Sequence, residues 1–147
     1  MYRGEVPAEL ALDDTIDALG GTFSYPFAYG YACVGQVAES EQMVFAFHPH
    51  QDVFAAPAGE LIPLPAIDPA SATLFPLVET ALQVTLDAGA GYRERVIVLG
   101  AGVLGLLTAL LLQRSGRLTL IAEPQPWRRD MANSLGATAA APEDLAE

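Results

Sequence analysis

The sequence is poor in cysteine and in basic residues. Cys33 is its single cysteine, which excludes an internal disulfide and a cysteine-rich zinc site and favours a cytoplasmic location over a secreted one. Only 7 residues are basic and 18 are acidic, which gives a formal net charge of −11. Such a chain repels phosphate backbones and anionic lipid head groups, so we expect no nucleic-acid or membrane-surface partner.

Charge is also absent from residues 96–112, an uncharged run close to the short end of a transmembrane span. Three glycines interrupt the run, and its first four residues are β-branched or leucine. These features favour a buried parallel strand that turns into a buried helix. We therefore do not expect the run at 96–112 to span a membrane. The first ten residues carry charges and no apolar run, so we expect no signal peptide either.

What is present is typical of a globular protein. Hydrophobic residues make up 52 % of the 147 and charged residues 17 %, a balance that allows a buried core. This length suits one ordinary domain or two small lobes. A change of pattern after Pro65 divides the chain into a lobe of residues 1–65 and a lobe of residues 66–147.

The first lobe is predicted to contain short strands cut by proline and glycine. Apolar alternation and β-branched residues predict strands at 32–38 and 43–47, joined by a turn, and a further extended segment at 52–56. A short helix is predicted over 9–19. This punctuation is typical of a small barrel or sandwich.

The second lobe is predicted to alternate helices and strands. Asp68 is a helix N-cap with Pro69 at the first helical position, and longer helices are predicted at 77–88 and 127–135. Their apolar faces carry Val78, Leu82 and Leu86 in the first and Trp127, Met131 and Leu135 in the second. Gly136 is predicted to cap the last helix.

A β-α-β unit lies between these helices. Its parts are a strand at 95–99, a turn at 100–105, a helix at 106–114 and a strand at 118–122. The turn has the spacing Gly-x-Gly-x-x-Gly, which is typical of dinucleotide-binding sites when it joins a strand to a helix.

Each glycine of this turn has a physical role in such a site. Gly100 permits the sharp turn, Gly102 leaves room for the pyrophosphate, and Gly105 lets the helix pack close to the strand. The amides at the start of the helix, including those of Val103 and Leu104, are expected to hold phosphate charge.

Glu123 ends the second strand of the unit. An acidic residue about twenty positions after the motif hydrogen-bonds the ribose hydroxyls, and its charge repels a 2′-phosphate, so NAD is favoured over NADP. Arg128 and Arg129 instead favour NADP, because a guanidinium could reach such a phosphate. The alternative is a buried β-α-β unit with permissive glycines and an exposed Glu123.

His48 and His50 are candidates for proton transfer. In an extended segment the two imidazoles point to one face, which suits a substrate oxygen or a metal, although a structural turn is the alternative. No third ligand is near, so no metal is expected. Tyr31 could donate a proton to an alkoxide or pack in an aromatic wall, and Cys33 is interpreted as a small buried hydrophobe. The other aromatic residues of that wall are Phe23, Tyr25, Phe27 and Tyr29.

Taken together, these segments resemble the medium-chain dehydrogenase/reductase superfamily, which includes the zinc-type alcohol dehydrogenases and threonine dehydrogenase. The matching segments are 25–26, 30–37, 44–46, 57–58 with 64–65, the glycine turn, and 135–138. The resemblance implies an α/β fold in which a partial GroES-like β-barrel (1–65) precedes the first βαβ half of a Rossmann fold (66–147). It implies hydride transfer between NAD and a small alcohol or carbonyl substrate, with Glu79 and Thr80 beside the nicotinamide.

The departures from that family concern zinc and length. The family's Gly-His-Glu segment, which supplies a zinc ligand, stands here as Gly30-Tyr31-Ala32, and the cysteine-rich lobe for structural zinc is missing. We therefore expect no catalytic zinc. Relative to the family the chain also looks truncated at both ends, with a sheet that stops after two strands. This predicts a fragment, a truncated gene product, or a homo-oligomer completed by another copy.

Two hypotheses follow. The first is a zinc-independent, NAD-dependent oxidoreductase of the medium-chain type, or a fragment of one. The second is a remnant that binds a nucleotide or a partner without catalysing a reaction.

Overall fold

The computed structural model describes residues 15–22, 26 and 28–145 of a mixed α/β chain. The chain divides into two compact units, Met1–Leu74 and Phe75–Glu147. Each unit contains its own three-stranded sheet. The division lies later than the expected one after residue 65, because the short helix α1 (Pro69–Ala72) lies against the first sheet.

The first unit is built on an antiparallel sheet of β1 (Cys33–Gln36), β2 (Met43–Ala46) and β3 (Ile62–Pro63), in that order. β1 and β2 confirm the predicted strand pair, and Phe45 at its centre is fully buried. The extended segment at 52–56 forms no strand. It therefore does not extend this sheet.

Two predictions of the first unit fall partly or wholly outside the described residues. Of the helix predicted over 9–19, only a 3₁₀ turn at Asp17–Leu19 lies within them. The aromatic residues Phe23, Tyr25 and Phe27 lie outside them.

The second unit is built on a parallel sheet of β4 (Arg95–Leu99), β5 (Leu118–Ala122) and β6 (Ala139–Ala140), in that order. β4 and β5 have the predicted bounds. β6 corrects the expectation that the sheet stops after two strands. Alanine is not β-branched, so residues 139–140 were not predicted as a strand. The strand forms because its backbone pairs with β5.

The helices of the second unit are α2 (Phe75–Asp87), α3 (Val103–Arg114) and α4 (Pro126–Ser134). α2 begins before Pro76 rather than after it, since a proline fits the first turn of a helix, where no intrahelical N–H bond is needed. α4 is followed by Gly136 with φ +86°, as predicted for its C-terminal cap. Asp68 likewise caps α1, accepting the Ser71 N–H at 2.9 Å.

The apolar faces predicted for α2 and α4 lie on the surface of the described structure. The large side chains at 78, 82, 86, 127, 131 and 135 are all exposed. The buried residues are Pro76, Ala81 and Thr85 in α2 and Ala132 in α4. Small side chains allow close approach, and α2 packs on α3 in this way. No helix within the described ranges is long and apolar enough to cross a membrane.

Candidate nucleotide-binding site

The glycine turn between β4 and α3 uses its three glycines for three different physical reasons. Gly100 has φ +96°, a left-handed conformation, and donates its N–H to the Ala122 carbonyl oxygen at 2.8 Å. A Cβ placed on Gly105 would strike the carbonyl oxygen of Gly100. A Cβ on Gly102 would meet no atom within 4 Å. The fold therefore requires Gly100 and Gly105, whereas Gly102 leaves open space beside the turn.

The start of α3 lies directly beside this space. Gly102 is the N-cap residue, with φ −74°, and the Leu106 N–H donates to its carbonyl oxygen at 2.9 Å. Val103, Leu104 and Gly105 thus belong to the first helical turn, not to the loop that the sequence predicted. The N–H groups of a first turn have no intrahelical partner and, with the helix dipole, favour an anion.

Glu123 follows β5 and is almost completely buried, with 2 % of its surface exposed. Its Oε2 accepts the N–H of Ala101 at 2.8 Å, and its Oε1 accepts the N–H of Gln125 at 2.8 Å. These two bonds, chiefly that from Ala101, lower the pKa of the carboxyl group. Burial opposes them, and Arg128 and Arg129 reinforce them. The exposed Glu123 of the alternative interpretation is not observed.

The lowered pKa of Glu123 predicts a pH dependence of stability. Because the carboxylate is favoured in the folded state, it stabilises the fold above the ordinary pKa of 4.5, and this contribution is lost as the pH falls through the folded-state value. We expect Glu123→Gln to lower the urea midpoint clearly at pH 7 and progressively less below pH about 4.5. Glu79→Gln, on the exposed surface of α2, is the control. A Glu123→Gln effect that is the same at pH 7 and pH 3 would contradict the prediction.

The two arginines of α4 make different contacts. Arg129 donates to the carbonyl oxygens of Glu123 and Pro124, both at 2.8 Å. The guanidinium of Arg128 lies 4.0 Å from Oε2 of Glu123 and 5.1 Å from the centre of the Trp127 ring, and the side chain is 44 % exposed. Arg128 is therefore the arginine with surface available to a ligand.

Thr80, the remaining cofactor candidate, lies in α2. Its hydroxyl donates to the carbonyl oxygen of Pro76 at 2.9 Å, within the same helix. Glu79 beside it is exposed. A contact of Thr80 with a cofactor remains a prediction.

The three candidate catalytic residues lie in the first unit. The N–H of His48 donates to the Tyr31 carbonyl oxygen at 3.2 Å, and the N–H of His50 donates to that of Tyr29 at 2.8 Å. The His48 ring stacks on Phe54 with centroids 3.8 Å apart, whereas the His50 ring lies over Gly30 and makes a T-shaped contact with the Tyr29 ring. The backbone pairs Tyr31 with His48, and the two imidazoles contact different neighbours.

Cys33, the single cysteine of the sequence, lies in β1 of the same unit. Cys33 is half-buried, and its thiol donates to the carbonyl oxygen of His48 at 3.2 Å. Within the part of the chain that the structure describes, no three His, Cys, Asp or Glu side chains come close enough together to hold a metal ion.

Several solved protein structures are similar to this chain. No family model matches the sequence. The structure is similar to a quinone oxidoreductase from Thermus thermophilus, solved also in complex with NADPH, at 31 % identity and a TM-score of 0.64 over 76 % of this chain and 39 % of that one. It is also similar to an oxidoreductase from Salmonella enterica in complex with NADP (21 %, TM-score 0.62, 85 % and 46 %) and to galactitol-1-phosphate dehydrogenase from Escherichia coli (18 %, 0.54, 71 % and 32 %).

The two last similarities, at low identity, show the fold alone. The chain spans less than half the length of each of these three structures. The Thermus thermophilus protein is an oxidoreductase, and the resemblance of this chain to the medium-chain dehydrogenase/reductase superfamily is confirmed over the part of that protein that it spans.

Proposed function

We propose that the second unit binds NADP(H) and that the protein transfers hydride between this cofactor and a small alcohol or carbonyl compound. The observation that carries the proposal is Gly102. Neither its backbone conformation nor its packing requires a glycine, since φ is −74° and a Cβ would meet nothing within 4 Å. A glycine at the start of a 12-residue helix is explained if the pyrophosphate of a dinucleotide lies against it.

The choice of NADP(H) departs from the NAD that the sequence favoured. That preference assumed a free carboxylate at Glu123, but both carboxylate oxygens already accept backbone N–H groups. Arg128 offers a half-exposed guanidinium beside it, which suits a 2′-phosphate. The NADPH and NADP complexes of two similar structures also support this choice.

The lobes take the roles that the resemblance implies. In this proposal the first unit is a partial GroES-like barrel on the substrate side, and the second is a Rossmann half extended by β6. When bound, the cofactor supplies or accepts the hydride. The first-turn amides of α3 hold its phosphates, and Thr80 contacts it.

The proton is assigned to the first unit, without catalytic zinc. His48, His50 and Tyr31 are its candidate donors. The absence of a histidine in Gly30-Tyr31-Ala32 supports a zinc-independent reaction. We also propose a cytoplasmic protein that self-associates through the edges of its sheets.

A thermal-shift titration of the purified chain with NADPH and NADH tests the proposal. Binding to the folded state at a hundred times the Kd stabilises it by about 2.7 kcal/mol, so a clear rise in Tm is expected, larger with NADPH. No rise with either nucleotide would contradict the cofactor site. NADPH oxidation with a panel of quinones, aldehydes and ketones then tests catalysis, and binding without turnover would favour the non-catalytic remnant.

A further inference from the structure

We propose that Glu123 is a positioning residue, which joins the glycine turn to the start of α4, and not the acceptor for the ribose of the cofactor. This inference rests on the proposed dinucleotide site and specifies how that site is held in shape. It assigns the selectivity between NADPH and NADH to Arg128 instead.

The carboxylate of Glu123 bridges two segments that are distant in sequence. Oε2 accepts the N–H of Ala101, between the first two glycines of the turn, and Oε1 accepts the N–H of Gln125, the N-cap residue of α4. Both bonds are 2.8 Å long. One side chain therefore sets the position of the turn relative to the helix that carries Arg128.

The backbone of Glu123 is held equally firmly. Its N–H donates to the Ala140 carbonyl oxygen at 3.0 Å, in the third strand of the sheet, and its carbonyl oxygen accepts from Arg129 at 2.8 Å. With 2 % of the residue exposed, almost no carboxylate surface is left for ribose hydroxyls. A carboxylate that is hydrogen-bonded and covered by protein in this way affects a ligand through the backbone segments that it positions.

The bond to Ala101 matters most for the site. Ala101 is buried, with 5 % exposed, and a buried N–H without an acceptor is strongly unfavourable. The carboxylate satisfies this N–H and so fixes the orientation of the peptide that joins Gly100 to Ala101, one residue before Gly102. Any dinucleotide whose pyrophosphate lies against Gly102 depends on that orientation, whatever its ribose carries.

The test is the effect of Glu123→Gln on the Kd values of NADPH and NADH. A glutamine offers one acceptor oxygen in place of two, so the turn loosens, and both affinities are expected to fall together by about tenfold. Their ratio is expected to stay the same. If Glu123 met the ribose, losing its charge would weaken NADH alone and favour NADPH, and such a change of ratio would overturn the proposal.

Two further variants sharpen the result. Arg128→Gln is expected to weaken NADPH at least fivefold more than NADH, which shows that the assay detects a change of ratio. Glu123→Asp keeps the charge but is too short to reach both amides, so it is expected to weaken both nucleotides. An aspartate that bound NADH like the wild type would support ribose contact and contradict our inference.

Amide hydrogen exchange of the full chain without nucleotide separates this inference from the proposed function. The N–H groups of Ala101 and Gln125 are expected to be protected in the wild type and to exchange at least tenfold faster in Glu123→Gln. Unchanged exchange would overturn the positioning role even if NADPH binds. Failure of the wild type to bind either nucleotide would instead overturn the proposed function and the cofactor part of the inference.

Discussion

Gly105→Ala is expected to destabilise the second unit by about 3 kcal/mol, the largest effect of any single methyl group added to the glycine turn. The new Cβ strikes the carbonyl oxygen of Gly100. Neither partner can move easily, because Gly105 lies inside α3 and Gly100 is held in a left-handed conformation by its bond to Ala122. Urea unfolding followed by circular dichroism measures the loss.

Gly102→Ala is the matched control for this variant. It makes the same chemical change in the same turn, at a position where a Cβ meets no atom within 4 Å. Alanine is a poorer N-cap than glycine, so a loss of about 1 kcal/mol or less is expected. If both variants lost the same stability, the close approach of Gly105 to Gly100 would not be the cause. A loss of about 3 kcal/mol is a large part of the total stability of a small protein.

Gly102→Asp is expected to weaken NADPH binding at least about a hundredfold while leaving the protein folded. The side chain fills the space proposed for the pyrophosphate, and its charge repels phosphate. Aspartate is also a favourable N-cap that complements the helix dipole, so α3 is expected to keep its stability or gain slightly. We therefore expect the affinity for NADPH to fall while the free energy of unfolding is unchanged or slightly higher. Thermal-shift titration and urea unfolding of one preparation measure the two quantities.

Gly102→Asn separates the two causes of this loss. Asparagine has nearly the same volume as aspartate and is an equally good N-cap, but it carries no charge. We expect it to bind NADPH more weakly than the wild type and more tightly than Gly102→Asp. Wild-type affinity in the aspartate variant would show that no pyrophosphate lies against Gly102 and would refute the proposed site.

Much of the second unit could be predicted from local sequence patterns. β4 has the predicted bounds because its apolar run ends in a glycine-rich turn, and β5 has them because a short apolar run lies between Arg117 and Glu123. Asp68 with Pro69 and the glycine at 136 mark helix ends through the requirements of unsatisfied amides and carbonyls. The glycine turn was also one of the segments on which the resemblance to oxidoreductases rested.

The candidate site was predicted less completely. Gly100, Gly102 and Gly105 lie together as expected, but the first turn of α3 begins earlier and includes Val103 and Leu104. The bond from Ala101 to Glu123 was missed, because its partners are 22 residues apart and no local pattern reports which amide a carboxylate will reach. The same holds for Arg128, whose place over Trp127 depends on side-chain conformations.

The sequence by itself determined the alternation of helices and strands around the glycine turn, the ends of several of these elements, and the turn itself, since these follow from backbone preferences within a few residues. Only the tertiary structure decided which faces of α2 and α4 are buried, that Ala139–Ala140 forms a third strand, and that Glu123 is covered. These features depend on partners far apart along the chain. Burial and strand pairing are properties of the assembled unit, and no single segment specifies them.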